Sequence, residues 1–259
     1  MKRLIIILSL LATFASVNAQ VFYFDLQPSN PHYVIRLPMS DRVRNCLELA
    51  VAGAPEEQYR LASFYHEGYG LEQNDSLAFY WAKESAMQDY PAGLYFIAYA
   101  YETGKGVAQD TEKAISLYKR ALEEALPLAE QGDATAQFVM GKLYDYGNGG
   151  IEINQQSAVR WYRKSAMQGY AGAQFNLGNC YQLGEGVKED KTQAVYWYSK
   201  AADQGDPEAQ YMLGLCYASG EGVKKNTHKA IKWFKESAKQ GNRHSQHILQ
   251  RIGVDRSDY

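Results

Sequence analysis

Four groups of residues have types and spacings that could do chemistry. Ser116-Leu117-Tyr118-Lys119 fits the Ser-x-x-Lys signature of penicillin-binding enzymes, in which the serine is an acyl-accepting nucleophile. His244 and His247, three apart, could supply two ligands to a metal ion. Gly184-Glu185-Gly186 and its counterparts Gly104-Lys105-Gly106 and Gly220-Glu221-Gly222 have the look of phosphate-cradling loops. Cys46, Cys180 and Cys216 are an odd set, so at least one thiol stays free or pairs between chains. Whether any of these is a site depends on the elements that hold them.

Those elements recur. Gly178 and Gly214, Tyr181 and Tyr217, Trp197 and Trp233, and Gly205 and Gly241 are each 36 residues apart, and Trp161 lies 36 before Trp197. Gly141 lies 37 before Gly178, the extra residue falling in Gly147-Asn148-Gly149-Gly150. Ala98 precedes Gly141 by 43, which is the period plus a seven-residue insertion around Leu122 to Leu128, and Ala62 precedes Ala98 by 36. Five copies result: 55–90, 91–133, 134–170, 171–206 and 207–242. Each predicts helix, glycine loop, helix. Leu177, Gly178 and Tyr181 share one face of the first helix. The first loop glycine suits a left-handed C-cap and the second a tight turn. Asn74, Asp110, Asn154, Asp190 and Asn226 each stand four residues before an alanine and predict the N-cap of the second helix. Ala194, Trp197, Tyr198 and Ala202 form the expected buried stripe of that helix. The fold class expected is all-α, a solenoid of about five 36-residue helix-turn-helix repeats.

The period, the Gly-x-Gly-Val loop and the Lys-Ala-x-x-Trp-Tyr-like second helix resemble the Sel-one-like repeat family, relatives of the tetratricopeptide repeats; a true tetratricopeptide period is 34 and its loop lacks the glycine pair. The resemblance is strongest in copies four and five. Copy one has Leu71 for the loop valine and Ala62 for the glycine, and copy two has Leu117 for the tryptophan. The resemblance implies a right-handed α/α superhelix and an adaptor that binds a protein or peptide. Some bacterial members have been linked to β-lactam binding, so an alternative function is a β-lactam-binding or hydrolytic enzyme, and another is a structural subunit of an envelope complex.

The repeat supplies an internal control for the four groups. Ser116 falls in a column occupied elsewhere by Tyr80, Arg160, Tyr196 and Lys232, and neither Lys-Thr-Gly nor Ser-Asp-Asn accompanies it. The glycine loops follow helices and lack a Gly-Lys-Ser/Thr ending. No acidic or cysteine cluster completes a metal site around His244 and His247, and a solvated polar cap is the plainer expectation. Cys180 and Cys216 share a column in adjacent copies, where a bridge would span too far, so buried free thiols are expected. No catalytic residue, metal or cofactor is therefore expected. The recurring Tyr65, Tyr101, Tyr144, Tyr181 and Tyr217, with Trp161, Trp197 and Trp233, are expected in the core.

A partner surface should instead lie in first-helix columns that vary and point away from the packed stripe, the side that lines the concave surface of a curved solenoid. These columns read Arg60, Ser63 and Glu67; Phe96, Tyr99 and Thr103; Val139, Lys142 and Tyr146; Asn176, Asn179 and Leu183; Met212, Leu215 and Ser219. The mixture of aromatic, apolar and a few polar groups suits a peptide or protein groove.

At the ends, Lys2-Arg3, an apolar Leu4 to Phe14 and Val17-Asn18-Ala19 predict a signal peptide over 1–19. The apolar run is too short for a committed membrane span, and export to a periplasm or secretion, from a bacterium, is the expectation. An extended arm over 20–42, lying on the first repeats, a capping helix over 43–54, and a C-terminal capping helix and tail over 243–259 complete the expected layout. With 27 basic and 29 acidic residues, the net charge of −2 provides no electrostatic footprint for nucleic acid or anionic lipid.

Overall fold

A computed structural model describes residues 40–255 and 259, together with two strands, β1 (Phe22–Phe24) and β2 (Tyr33–Ile35), in the N-terminal segment. The strands pair antiparallel, Tyr23 opposite Val34. The expected signal peptide and the rest of 20–39 lie outside the described residues.

Beyond Ser40 the chain is a right-handed α/α superhelix. A leading helix α1 (Asp41–Val51) precedes five pairs: α2 (Pro55–Glu67) with α3 (Asp75–Ala86), α4 (Pro91–Thr103) with α5 (Thr111–Glu130), α6 (Ala134–Tyr146) with α7 (Gln155–Met167), α8 (Ala171–Leu183) with α9 (Lys191–Asp203), and α10 (Pro207–Ser219) with α11 (Thr227–Lys239). A final helix, α12 (Arg243–Arg251), packs on the last pair.

Local signals set these boundaries. Asn74, Asp110, Asn154, Asp190 and Asn226 each accept from the backbone amide three residues on, satisfying a donor that the helix start leaves open. Gly184 ends α8 in the left-handed region, φ +74°, and donates its amide to the Cys180 carbonyl. The second loop glycine does more than turn: a Cβ on Gly186 would overlap the carbonyl of Gln155, at the start of the preceding copy's second helix, so this glycine fixes how closely the copies stack.

The core differs from the expectation at two columns. The residue lying flat on the first helix is Tyr162, Tyr198 or Phe234, while Trp161, Trp197 and Trp233, one position earlier, are half-buried. Tyr198 has no exposed surface, and a Cβ on Gly178 would sit 2.6 Å from its ring. The glycine column thus exists to seat an aromatic ring. Ala194, Tyr198, Ala201 and Ala202 form the 3.6-period stripe, and Trp197 instead wedges against the core of the preceding copy. Tyr65 is buried as expected, but Tyr101, Tyr144, Tyr181 and Tyr217 are only partly so.

A polar ladder threads this core. Buried Gln58, Gln137, Gln174 and Gln210 each donate to the last turn of the preceding second helix, Gln174 Nε2 to Ala166 O at 3.1 Å, and each accepts from a glutamine about 30 residues on. Copy two breaks the ladder with Leu94, itself fully buried. The insertion in copy two extends α5 to 20 residues. Seven residues are close to two full turns, so Ala121, Ala125 and Ala129 continue the buried stripe with little rotation.

Candidate functional site

The first helices α2, α4, α6, α8 and α10 line the inside of the superhelix, and the two ends of the array meet across it. Arg42 Nη1 of α1 donates to Gly205 O at the end of copy four at 2.8 Å, and copies one and five touch: Gly70 N donates to Gln240 O at 2.9 Å, and the Tyr69 hydroxyl bonds the Glu208 carboxylate. Tyr59 of α2 and Tyr170, ahead of α8, face the same inner space.

Two cavities on this inner side share Tyr59 and Ser63 as a common wall. The first, of about 620 Å³, is lined by Arg42, Glu56, Tyr59 and Arg60, by Asp133, Thr135 and Phe138, and by Tyr170, Gln204 and Asp206. Its charges are largely spoken for. Arg60 bonds Glu56 and Glu57 at 2.8 and 2.7 Å. Asp206 caps α10 through the Ala209 amide at 2.8 Å, and burial pushes its carboxyl up to about 6 against the pull of that hydrogen bond and of Arg42.

The second cavity, of about 560 Å³, lies between α2, α4, α5 and α6 and is lined by Tyr59, Ser63, His66, Glu67, Tyr95, Phe96, Tyr99, Glu102, Tyr118, Lys142, Tyr146 and Asn148. Aromatic rings form most of the wall. Phe96 meets Tyr59 edge-on at 6.3 Å and His66 at 5.5 Å, and Tyr95 meets Tyr118 at 5.1 Å. Most polar groups are held: His66 Nδ1 lies 2.8 Å from Asp75, and Tyr118 donates to Glu102 at 2.7 Å. Lys142 is the exception. Its ammonium stands 4.5 Å from the Tyr95 ring centre and 5.8 Å from that of Phe138, with no hydrogen-bond acceptor or ion-pair partner among the described residues. Burial lowers it to about 8, opposed by the fields of Glu67 and Asp145.

Of the expected surface residues, Ser63, Glu67, Phe96, Tyr99, Lys142 and Tyr146 come together in this cavity, Arg60 and Ser63 line the first, and Val139 is buried in the core instead. The remaining columns are dispersed. Asn179 accepts from the Tyr198 hydroxyl at 2.7 Å, Met212 and Leu215 pack on the cores of copies four and five, Leu183 is 63% exposed, and Asn176 is half-buried outside both cavities. The sequence-based choice missed a column one residue earlier, Tyr59, Tyr95, Phe138, Phe175 and Tyr211, which is aromatic in all five copies. That uniformity was the available signal. In copies two to five each of these rings meets the buried ring of its own pair, edge-on in copy two and tilted in copies three to five. Copy one carries Ala82 there, and Tyr59 reaches inward instead.

The other groups are placed as follows. Ser116 and Lys119 are exposed on α5 and line neither cavity. Cys46, Cys180 and Cys216 are buried free thiols, and burial pushes Cys180 up to about 12 and Cys216 to about 11. The His244 ring lies 5.5 Å from that of Tyr211, and among the described residues no cluster of His, Cys, Asp or Glu could hold a metal ion. No helix of the described residues is long and apolar enough to cross a membrane.

The Sel1 repeat model matches residues 58–90, 91–125, 134–170, 171–206 and 207–242, most of the chain. The chain belongs to the Sel1 repeat family. A solved Sel1 repeat protein from Oxalobacter formigenes is 30% identical, with the match covering 83% of this chain and 92% of that one at a TM-score of 0.51. Chitin synthase regulatory factor 3 of Schizosaccharomyces pombe is 27% identical over 165 residues, 50% of this chain and 18% of that protein. The exopolysaccharide production negative regulator of Rhizobium meliloti is 31% identical over 143 residues, 50% of this chain and 51% of that protein. This chain thus spans about a fifth to a half of the length of these two curated relatives. Sel1 repeats generally mediate protein–protein interactions, and the fold is generally a non-catalytic scaffold.

Proposed function

We propose that this Sel1 repeat chain is an exported, non-catalytic scaffold that holds a segment of a partner protein or peptide in the aromatic inner cavity of copies one to three. The observation that carries it is the convergence of Phe96, Tyr99, Lys142 and Tyr146 on one space of about 560 Å³ walled by further aromatic rings. Aromatic groups with few polar anchors are what peptide grooves use, because they bury large area at little conformational cost. The exposed Ser116 and Lys119, outside both cavities, do not favour an acyl-transfer reading. Export is proposed from Lys2-Arg3, the apolar run and the small-residue site ending at Ala19.

The test is cross-linking in living cells from a photoreactive residue at position 99, followed by identification of the attached chain. One reproducible partner, lost from a Phe96→Ser/Tyr146→Ser chain whose circular dichroism stays helical, is the expected result. Equal cross-linking by that variant would remove the cavity as the site.

A further inference from the structure

We infer that the outer face of the fifth copy, α11 with the loop ahead of it, is a docking surface for an acidic polysaccharide. Its residues line neither inner cavity, so the inference does not depend on what fills them.

The net charge of −2 conceals a segregated distribution. Residues 41–133 carry 16 acidic and 8 basic side chains, whereas residues 207–255 carry 8 basic and 4 acidic ones. Most of that basic excess sits on one helix. α11 buries Ala230, Phe234, Ser237 and Ala238, so at about 100° per residue its outward arc falls on His228, Lys229, Lys232, Lys235, Glu236 and Lys239. Lys229, Lys232 and Lys239 are exposed, as are Lys224 and Lys225 just ahead of the helix. The one carboxylate of the arc, Glu236, is held by Lys239 at 2.9 Å. The same positions of α9 are Thr192, Gln193, Tyr196, Ser199, Lys200 and Asp203, with no net charge, so the repeat itself does not require the row.

The make-up of the arc decides between anions. Lys229, Lys232, Lys235 and Lys239 follow one another at steps of three or four residues, about 5 Å each along the axis, which makes a line of charge about 15 Å long. A line of charge is matched by a chain that carries an anion on successive units. A membrane surface is a poorer match, because helices that lie on membranes back their lysines with apolar side chains that enter the acyl layer, and this arc has none. Single-stranded nucleic acid is bound on aromatic platforms that stack its bases, whereas Trp233, beside the arc, is half-buried. Lysine heads are compact point charges, without the guanidinium fork that selects phosphate. A chain of carboxylate-bearing sugars asks for charge alone, and a row of lysines supplies it.

The experiment titrates the full chain with polygalacturonate, phosphatidylglycerol vesicles and single-stranded oligothymidylate at equal concentrations of anionic groups, and with neutral dextran. Polygalacturonate should bind tightest and dextran not at all, and binding should weaken as salt rises from about 50 to about 200 mM. Lys225→Gln/Lys229→Gln/Lys232→Gln should weaken it at least about tenfold. Lys83→Gln/Lys105→Gln/Lys119→Gln, which removes the same charge from copies one and two, should change it less than about twofold. Both variants should keep the circular dichroism of the parent, since all six side chains are exposed. Equal losses from the two variants would show that net charge alone attracts the polymer and would overturn the assignment to α11. Tighter binding of vesicles or of oligothymidylate would give the face to a membrane or a nucleic acid and overturn the polysaccharide. No binding of any charged probe at low salt would overturn the docking surface itself.

Discussion

Copies three to five and copies one and two solve the same packing problem differently. In the regular half each first helix carries a glycine, Gly141, Gly178 or Gly214, and each second helix lays a ring on it, Tyr162, Tyr198 or Phe234. In copy one both partners are small, Ala62 and Ala82, and in copy two an alanine, Ala98, faces Tyr118. The regular half uses its rings to hold helices together. The irregular half frees Tyr59 for the interior, supplies Phe96 and Tyr99, and thereby builds most of the cavity wall. Departures from the repeat are therefore where function should be sought.

The comparison can be broken most severely at the ring. Tyr198→Ala should cost about 3–5 kcal/mol, since the side chain is fully buried and Gly178 leaves nothing to refill the space. The half-buried Trp197→Ala should cost clearly less, and urea titration of the two variants orders them. An intermediate effect is expected at the ladder. Gln174→Leu, which imposes the copy-two solution on copy four, removes the side-chain bonds to the Ala166 carbonyl and from Gln204, while Ala166 O keeps the Gly169 amide and Gln204 keeps Lys200 O, and should cost about 1–2 kcal/mol. A loss below the error of the titration would mean that the ladder is incidental.

The smallest effect is expected at Lys142, and with the opposite sign. Its folded value, about 8, is below the ordinary 10.5, so the unfolded chain holds this proton more tightly. Between those values the unfolded state binds more protons, and stability contributed by this group rises with pH across about 8 to 10.5. Lys142→Met should raise stability at pH 7 by on the order of 1 kcal/mol and flatten that rise. Thermal melts at pH 7 and pH 10 of both chains check it.

Most of the fold was legible because its signals are local. The N-caps, the C-cap glycines and the 36-residue period each act within one turn or one copy, and an internal repeat shows which residues the backbone demands. Trp197 and Tyr198 were harder to rank. Adjacent residues of a helix differ by about 100° in direction, and only the position of the next helix decides which ring lies flat. The site was legible in part, through Phe96, Tyr99, Lys142 and Tyr146, because the first helices of copies two and three turn these columns inward. The enclosure was not, since the contacts of Arg42 with Gly205 and of Gly70 with Gln240 join residues more than four copies' length apart and depend on the accumulated superhelical rotation.

That enclosure is the central claim, and the Gly70 amide reports on it directly, because its hydrogen-bond acceptor is Gln240 O of the fifth copy. Native-state hydrogen exchange should find this loop amide protected well above an open-loop rate, and Tyr69→Phe, which removes the neighbouring bond to Glu208, should speed its exchange while leaving the amides of α8 and α9 unchanged. Exchange of Gly70 at the rate of a free loop in the unaltered chain, with the helices protected, would show that the array stands open and contradict the account.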